Sequence, residues 1–418
     1  MLILHLRLIL KYGTPPPLMT RAVSRVGALL LLGCGAGCGD APVAPDEVGL
    51  DALERLGKRL FEDPSLSEPA GLSCAGCHDS KTAFTGNNGS SVPAVARGSR
   101  DGQLGTRNTP TLGYVGFIPS FHFEEETGDD GSKSFIPVGG QFWDGRAANL
   151  VAQVQSPLTN PREMNNASVS DVVRKVSTAP YASLMRAVFG PDVLEDDDRA
   201  IQKIGEAIAA FERSKRFQPF SSKFDDFLRG KAELTQQEAL GFQLFRDPGK
   251  ANCLACHVGD ESSRSPEDWL FTDFTYDNLG LPRNGAIPDN ADPSHFDRGL
   301  CNRTDLQDLL PPGTDTSSLC GAFKVPTLRN AAITAPYGHN GSLTTLRDVV
   351  VFYVTRGTDP GRWYGGSSWP DDLVLPDVAN MNSSEVPYDR RPGEVPRLDD
   401  AEIDAVVAFL RTLTDRQE

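Results

Sequence analysis

The stretch "LSCAGCHDS" at residues 72–80 decides how this chain is read. A CxxC pair alone serves as a redox dithiol or as half of a zinc site. A histidine directly after the second cysteine changes the chemistry. Two thioethers then hold the edge of a porphyrin while the imidazole reaches the iron from below, the pattern of c-type haem attachment. "NCLACHVGD" at residues 252–260 repeats it. The candidates for covalent attachment are therefore Cys74 and Cys77 with His78 as iron ligand, and Cys253 and Cys256 with His257. Two c-type haems are expected.

The repetition extends outward from both motifs. "LGKRLFEDP" (56–64) precedes the first and "LGFQLFRDP" (240–248) the second, with Leu, Gly, Leu, Phe, Asp and Pro in register. Each reads as the end of an amphipathic helix stopped by Asp-Pro, since the residue before proline avoids the helical region. Further on, "TPTL" (109–112) answers "VPTL" (325–328), and "WDGRAANL" (143–150) answers "HNGSLTTL" (339–346). An internal repeat of this kind predicts tandem units. The expectation is a mostly α fold of two cytochrome c-type domains with long loops, residues 46–225 and 230–418, each holding one covalent haem. Residues 197–214 and 398–415 carry apolar side chains at i, i+3, i+4 and i+7, so both should be core-facing helices, the second capped by Asp399 or Asp400.

At 418 residues the chain has room for two or three domains. Its 40 Gly and 31 Pro, with 39% hydrophobic residues, suit a loop-rich globule wrapped around cofactors rather than a disordered chain. Net charge is −15, and because residues 1–33 carry four cations and no acid, the remainder is more acidic still. Such a surface disfavours nucleic acid as a partner and steers basic ones in a salt-dependent way, or serves only solubility.

The first 38 residues read as a leader. "MTRAVSRVGALLLLGCGAGCGD" (19–40) has two arginines and an apolar run too short to span a bilayer, then Leu31-Leu32-Gly33-Cys34. This resembles a bacterial lipoprotein signal, with Met19 as the true start, Cys34 as the lipidated residue and Cys38 as the second choice. An ordinary cleaved signal has the same consequence: export to the periplasm or cell envelope, where c-type haems are attached and disulfides persist. Cys301 and Cys320 remain. They flank a polar stretch, and a disulfide closing that loop would stabilise by about 3 kcal/mol.

"QFWDGRAANLVAQVQSPLTNPREM" (141–164) and "FKVPTLRNAAITAPYGHNGSLTTLRDVVVFY" (323–353) resemble the bacterial dihaem cytochrome c peroxidase/MauG family, from about residue 50 to the C-terminus. The resemblance implies that hydrogen peroxide reacts at the N-terminal haem and that the C-terminal haem transfers electrons. It also implies a tryptophan between the haems, Trp143, a distal glutamine and glutamate, Gln153 and Glu163, and an interdomain calcium on Asn108, Thr334 and Pro336. Chemistry supports the glutamate: peroxide cleavage moves a proton from the near oxygen to the far one, and a carboxyl can carry it. The competing reading makes Asn160-Pro161-x-Glu163 a helix start with Glu163 at N3.

Two departures select the branch. The peroxidases often place a histidine over haem 1 in the loop before Arg-Asn, but "SSVPAVARGSRDGQLGTRN" (90–108) holds none. Haem 1 should therefore be open without prior reduction. His122 in "SFHFEEETG" (120–128) is the residue most able to close it. The peroxidases also place methionine fourteen residues after the "APYxH" histidine; here that position is Tyr353, as in MauG. Tyrosinate is a hard anionic ligand that lowers the potential of its iron relative to methionine. The competing ligand is Met381. The expected function is a MauG-like dihaem peroxidase whose redox partner is a protein substrate, a small cytochrome or a cupredoxin. The rivals are an ordinary cytochrome c peroxidase and a non-catalytic dihaem carrier.

Overall fold

The computed structural model describes residues 44–128 and 130–416. The leader, with Met19, Cys34 and Cys38, lies outside the described residues. The described residues from Leu50 onward form one compact unit. It is mostly helical with long connecting loops, and the described strands are few and short. Among the described residues no helix is long and apolar enough to cross a membrane.

Two apolar cores organise this unit. In the first, the helix Ala52–Phe61 packs against Asp197–Glu212, burying Leu56, Leu60, Phe61, Ile204, Ile208 and Phe211. In the second, Gln236–Arg246 packs against Asp400–Arg411, burying Leu244, Phe245, Ile403, Val406, Phe409 and Leu410. The repeated glycine explains how each pair comes so close. A Cβ on Gly57 would overlap the Ala207 carbonyl oxygen, and one on Gly241 would overlap that of Ala405. Both helices that carry this glycine end just before Asp-Pro. Asp399, rather than Asp400, caps the last helix, accepting from the Glu402 amide.

One element was not legible as a strand pair. Residues 120–128 lead into β1 (His122–Thr127), which pairs antiparallel with β2 (Lys133–Val138), His122 opposite Val138. Alternate burial is weak on β1, so no clean period marks it. Cys301 and Cys320 are joined in a disulfide, and the carbonyl of Cys320 accepts from Asn278 and Asn380. The closed loop is thereby pinned to two neighbouring segments.

Candidate functional site

A cavity of about 660 Å³ runs through the unit and is lined by both CxxCH motifs. Cys74–Cys77 form a single helical turn, and Cys253–Ala255 a tighter one, so each pair of sulfurs stays on one side of the chain. All four thiols are free of disulfides. Burial, helped at Cys74 by Glu212 and at Cys77 by Glu163, pushes these thiols up, to about 12 for Cys77 and Cys253. That is the reverse of a reactive dithiol, whose surroundings favour thiolate. Nor does a cluster of three or more His, Cys, Asp or Glu side chains converge among the described residues, as a zinc site would need.

The two histidines are held alike. His78 Nδ1 lies 2.8 Å from the Phe84 carbonyl, and His257 Nδ1 lies 3.0 Å from that of Phe271. A carbonyl only accepts, so each Nδ1 carries the proton and each Nε2 presents its lone pair to the cavity. Burial lowers both to about 4, which keeps them neutral and able to ligate iron. Paired thiols beside a correctly tautomerised imidazole, twice over, fit covalent haem.

Trp143 is half-buried, lines the cavity and donates its indole N–H to the Asn108 carbonyl at 2.8 Å. The Asn108 amide in turn donates to the His339 carbonyl, which links the "WDG" and "HNG" stretches. Arg107 clamps this region by pairing with Asp144 and, through two nitrogens, with Asp297. Asn108 Nδ2 reaches the carbonyls of Pro336 (2.7 Å) and Gly338 (3.1 Å). Thr334, two residues earlier, turns its hydroxyl to Ala331.

Gln153 and Glu163 also line the cavity. No helix begins at Asn160: residues 161–164 form a turn after the short helix Gln155–Thr159, so Glu163 caps nothing. Its carboxylate accepts from Asn160 Nδ2 at 2.8 Å instead. Burial raises its pKa, with Arg146 and the Asn160 contact pulling the other way. Arg162 anchors the turn by bonding Asp289.

On the other motif's side, the helix Leu346–Thr355 turns Leu346, Val349 and Tyr353 to the cavity. Asp348 and Phe352, which share helical spacing with them, do not: Asp348 closes the capping box with Thr345, and Phe352 is fully buried. Met381 does not line the cavity, and its sulfur packs at Gly280. His122 is exposed on the hairpin, its Nδ1 on the Ser120 carbonyl, away from the cavity.

The family pattern for di-haem cytochrome c peroxidase matches residues 51–233. The methylamine utilization protein MauG of Paracoccus denitrificans is 38% identical over 88% of this chain and 89% of its own. The cytochrome c551 peroxidase of Nitrosomonas europaea is 31% identical, covering 71% of each chain. The crystal structure of the diheme peroxidase BthA from Burkholderia thailandensis superposes with a TM-score of 0.82 at 43% identity, over 90% of this chain and 88% of that one. The chain belongs to the dihaem cytochrome c peroxidase/MauG family.

This dihaem peroxidase, an oxidoreductase, also lines its cavity with groups no motif announced. Glu212 is buried on the Asp197–Glu212 helix, one carboxylate oxygen has no partner, and burial raises it to about 8. It sits at a core-facing position, where a sequence pattern expects an apolar residue. Lys324 is buried and lowered to about 7, its ammonium donating to the Gly140 carbonyl. Near Tyr353 lie Asp277, from the short strand Tyr276–Asp277, and Glu385 and Tyr388, both from one much later loop. Only the tertiary fold assembles them.

Proposed function

We propose that this chain is an exported dihaem peroxidase that reduces hydrogen peroxide on the Glu163 side of its cavity. Electrons come through the second haem from a partner protein oxidised at aromatic residues, as in MauG. The observation that carries the MauG-like reading is that Tyr353 lines the cavity and Met381 does not. Residues 46–225 and 230–418 serve as the two haem domains, each built on one of the two cores. Cys74, Cys77 and His78 would hold the first haem and Cys253, Cys256 and His257 the second, with the Tyr353 oxygen as a further ligand for the second iron.

When bound, the haems supply the iron chemistry for peroxide cleavage and exchange electrons with the partner. The chain's own part is protonic and steric. Glu163 takes the proton from the near oxygen of peroxide and returns it to the far one; its raised pKa keeps it basic enough to do both. Gln153 offers an amide to orient the peroxide. Trp143, fixed by Asn108, provides the aromatic path between the two motifs. A calcium ion would be held by Asn108, Thr334 and Pro336, the Asn108 side chain turning its oxygen inward in place of the Nδ2 that donates to the Pro336 carbonyl. Periplasmic location, with a lipid anchor on Cys34 or Cys38, follows from the leader, the c-type motifs and the disulfide. The redox partner is a protein substrate, small cytochrome or cupredoxin.

Glu163→Gln is the test. It should keep both haems and the melting temperature while slowing peroxide cleavage by roughly 100-fold or more. Intact turnover in that variant would remove Glu163 from the mechanism. Ferric EPR of the parent should show one high-spin and one low-spin haem; two low-spin haems would favour the non-catalytic carrier.

A further inference from the structure

The internal repeat registers more than the haem motifs. "TPTL" (109–112) answers "VPTL" (325–328), so the residues just before them, Asn108 and Lys324, are an equivalent pair. In the same way Trp143 answers His339, and Gly140, three residues before Trp143, answers Pro336, three before His339. The fold keeps this register: Gln141 bridges Ala147 just as Tyr337 bridges Leu343.

The two halves exchange matched bonds across their junction. The Asn108 amide donates to the His339 carbonyl and the Lys324 amide donates to the Trp143 carbonyl, both at 2.8 Å. The side chains repeat the exchange three residues earlier, with Asn108 Nδ2 on the Pro336 carbonyl and Lys324 Nζ on the Gly140 carbonyl. Both residues are buried. Only the end group differs, an amide in one half and an ammonium in the other. A lysine side chain is two bonds longer than an asparagine, a reach comparable to one calcium–oxygen distance of about 2.4 Å. The Lys324 ammonium therefore falls where, in the other half, a cation held by Asn108 would fall. Burial works against its charge, and the Asp144 carboxylate works for it.

We propose that Lys324 is a tethered cation: its ammonium takes, in one half, the position that an exchangeable calcium takes in the other, and it clasps the Trp143 loop to the strand Phe323–Lys324. This rests on the reading of Asn108, Thr334 and Pro336 as a calcium site. The junction then carries one cation that can leave and one that cannot, so calcium removal loosens the His339 side and spares the Trp143 backbone.

The experiment exchanges the two residues singly in the haem-loaded protein, as Lys324→Asn and Asn108→Lys. Bound calcium is counted by elemental analysis after equilibration with calcium chloride, and melting is recorded with and without a chelator. Lys324→Asn should hold one calcium more than the parent, and Asn108→Lys one fewer. In chelator, Lys324→Asn should melt below the parent and recover when calcium is restored, whereas Asn108→Lys should melt at or above the parent and ignore calcium. A Lys324→Asn protein that gains no calcium, while the parent holds it, overturns the proposal and leaves the calcium reading standing. A parent without calcium overturns that reading and the proposal with it. Should Lys324→Asn fail to fold, Asn108→Lys decides alone: melting below the chelated parent overturns the tethered cation.

Discussion

The two halves of the molecule share a scaffold and differ in what faces the cavity. Each has a glycine-mediated helix pair, a CxxCH turn, and a histidine whose Nδ1 is bonded to a phenylalanine carbonyl. Away from those shared parts, the first half offers a carboxylate on a turn, Glu163, and an amide at the end of the short helix Leu150–Gln153. The second offers two neighbouring phenols, Tyr353 and Tyr388. The contrast teaches that attachment and reactivity are encoded separately. The repeat preserves the CxxCH turns and their histidines, while the other side chains facing the cavity differ between the halves.

The likeness of the halves is broken most severely at the glycines. Gly57→Val and Gly241→Val should each cost about 3 kcal/mol or more, because the added side chain meets backbone that cannot move aside without separating the helices. Denaturant melts on the two variants should agree within about 1 kcal/mol if the helix pairs are equivalent. A mild effect at only one of them would show that its helix pair is looser.

The difference between the halves is sharpened at the open faces. Tyr353→Met should raise the potential of the second haem and move the enzyme toward accepting electrons from a small cytochrome, while Met381→Ala changes neither spectrum nor potential. The reverse result would make Met381 the ligand and the protein an ordinary cytochrome c peroxidase.

A gentler probe is pH. Burial raises the Glu163 carboxyl above its usual 4.5, and only its carboxylate form accepts a proton from peroxide. The rate of peroxide cleavage should therefore fall as pH drops through that raised value, and Glu163→Gln should abolish the dependence. Stopped-flow rates between pH 4 and 8 would read it; a pH dependence that survives the substitution would point to Glu212 instead.

The smallest effect concerns the caps. Asp51→Ala and Asp399→Ala each remove a capping box, one in each half, and each should cost about 1 kcal/mol with peroxide turnover intact. Thermal melts suffice to check it.

Much of this molecule was readable before folding. Covalent attachment needs two thiols and an imidazole within five consecutive residues, so local spacing alone exposed both motifs. The helices at 197–214 and 398–415 were visible because apolar periodicity is also local. The role of Glu163 was not decidable that way. Asn160-Pro161-x-Glu163 has the composition of a helix start, and only the observed turn, with no helix after it, removes that reading. Sequence by itself determined what lies within a few residues of each motif. Tertiary structure decided which distant groups meet there: Glu212 from a core-facing helix position, Asp277 from a short strand, and Glu385 and Tyr388 from one later loop. The reason is physical. A side chain's burial and its partners are properties of the packed chain, and the charge state and hydrogen bonds that matter for chemistry follow from them.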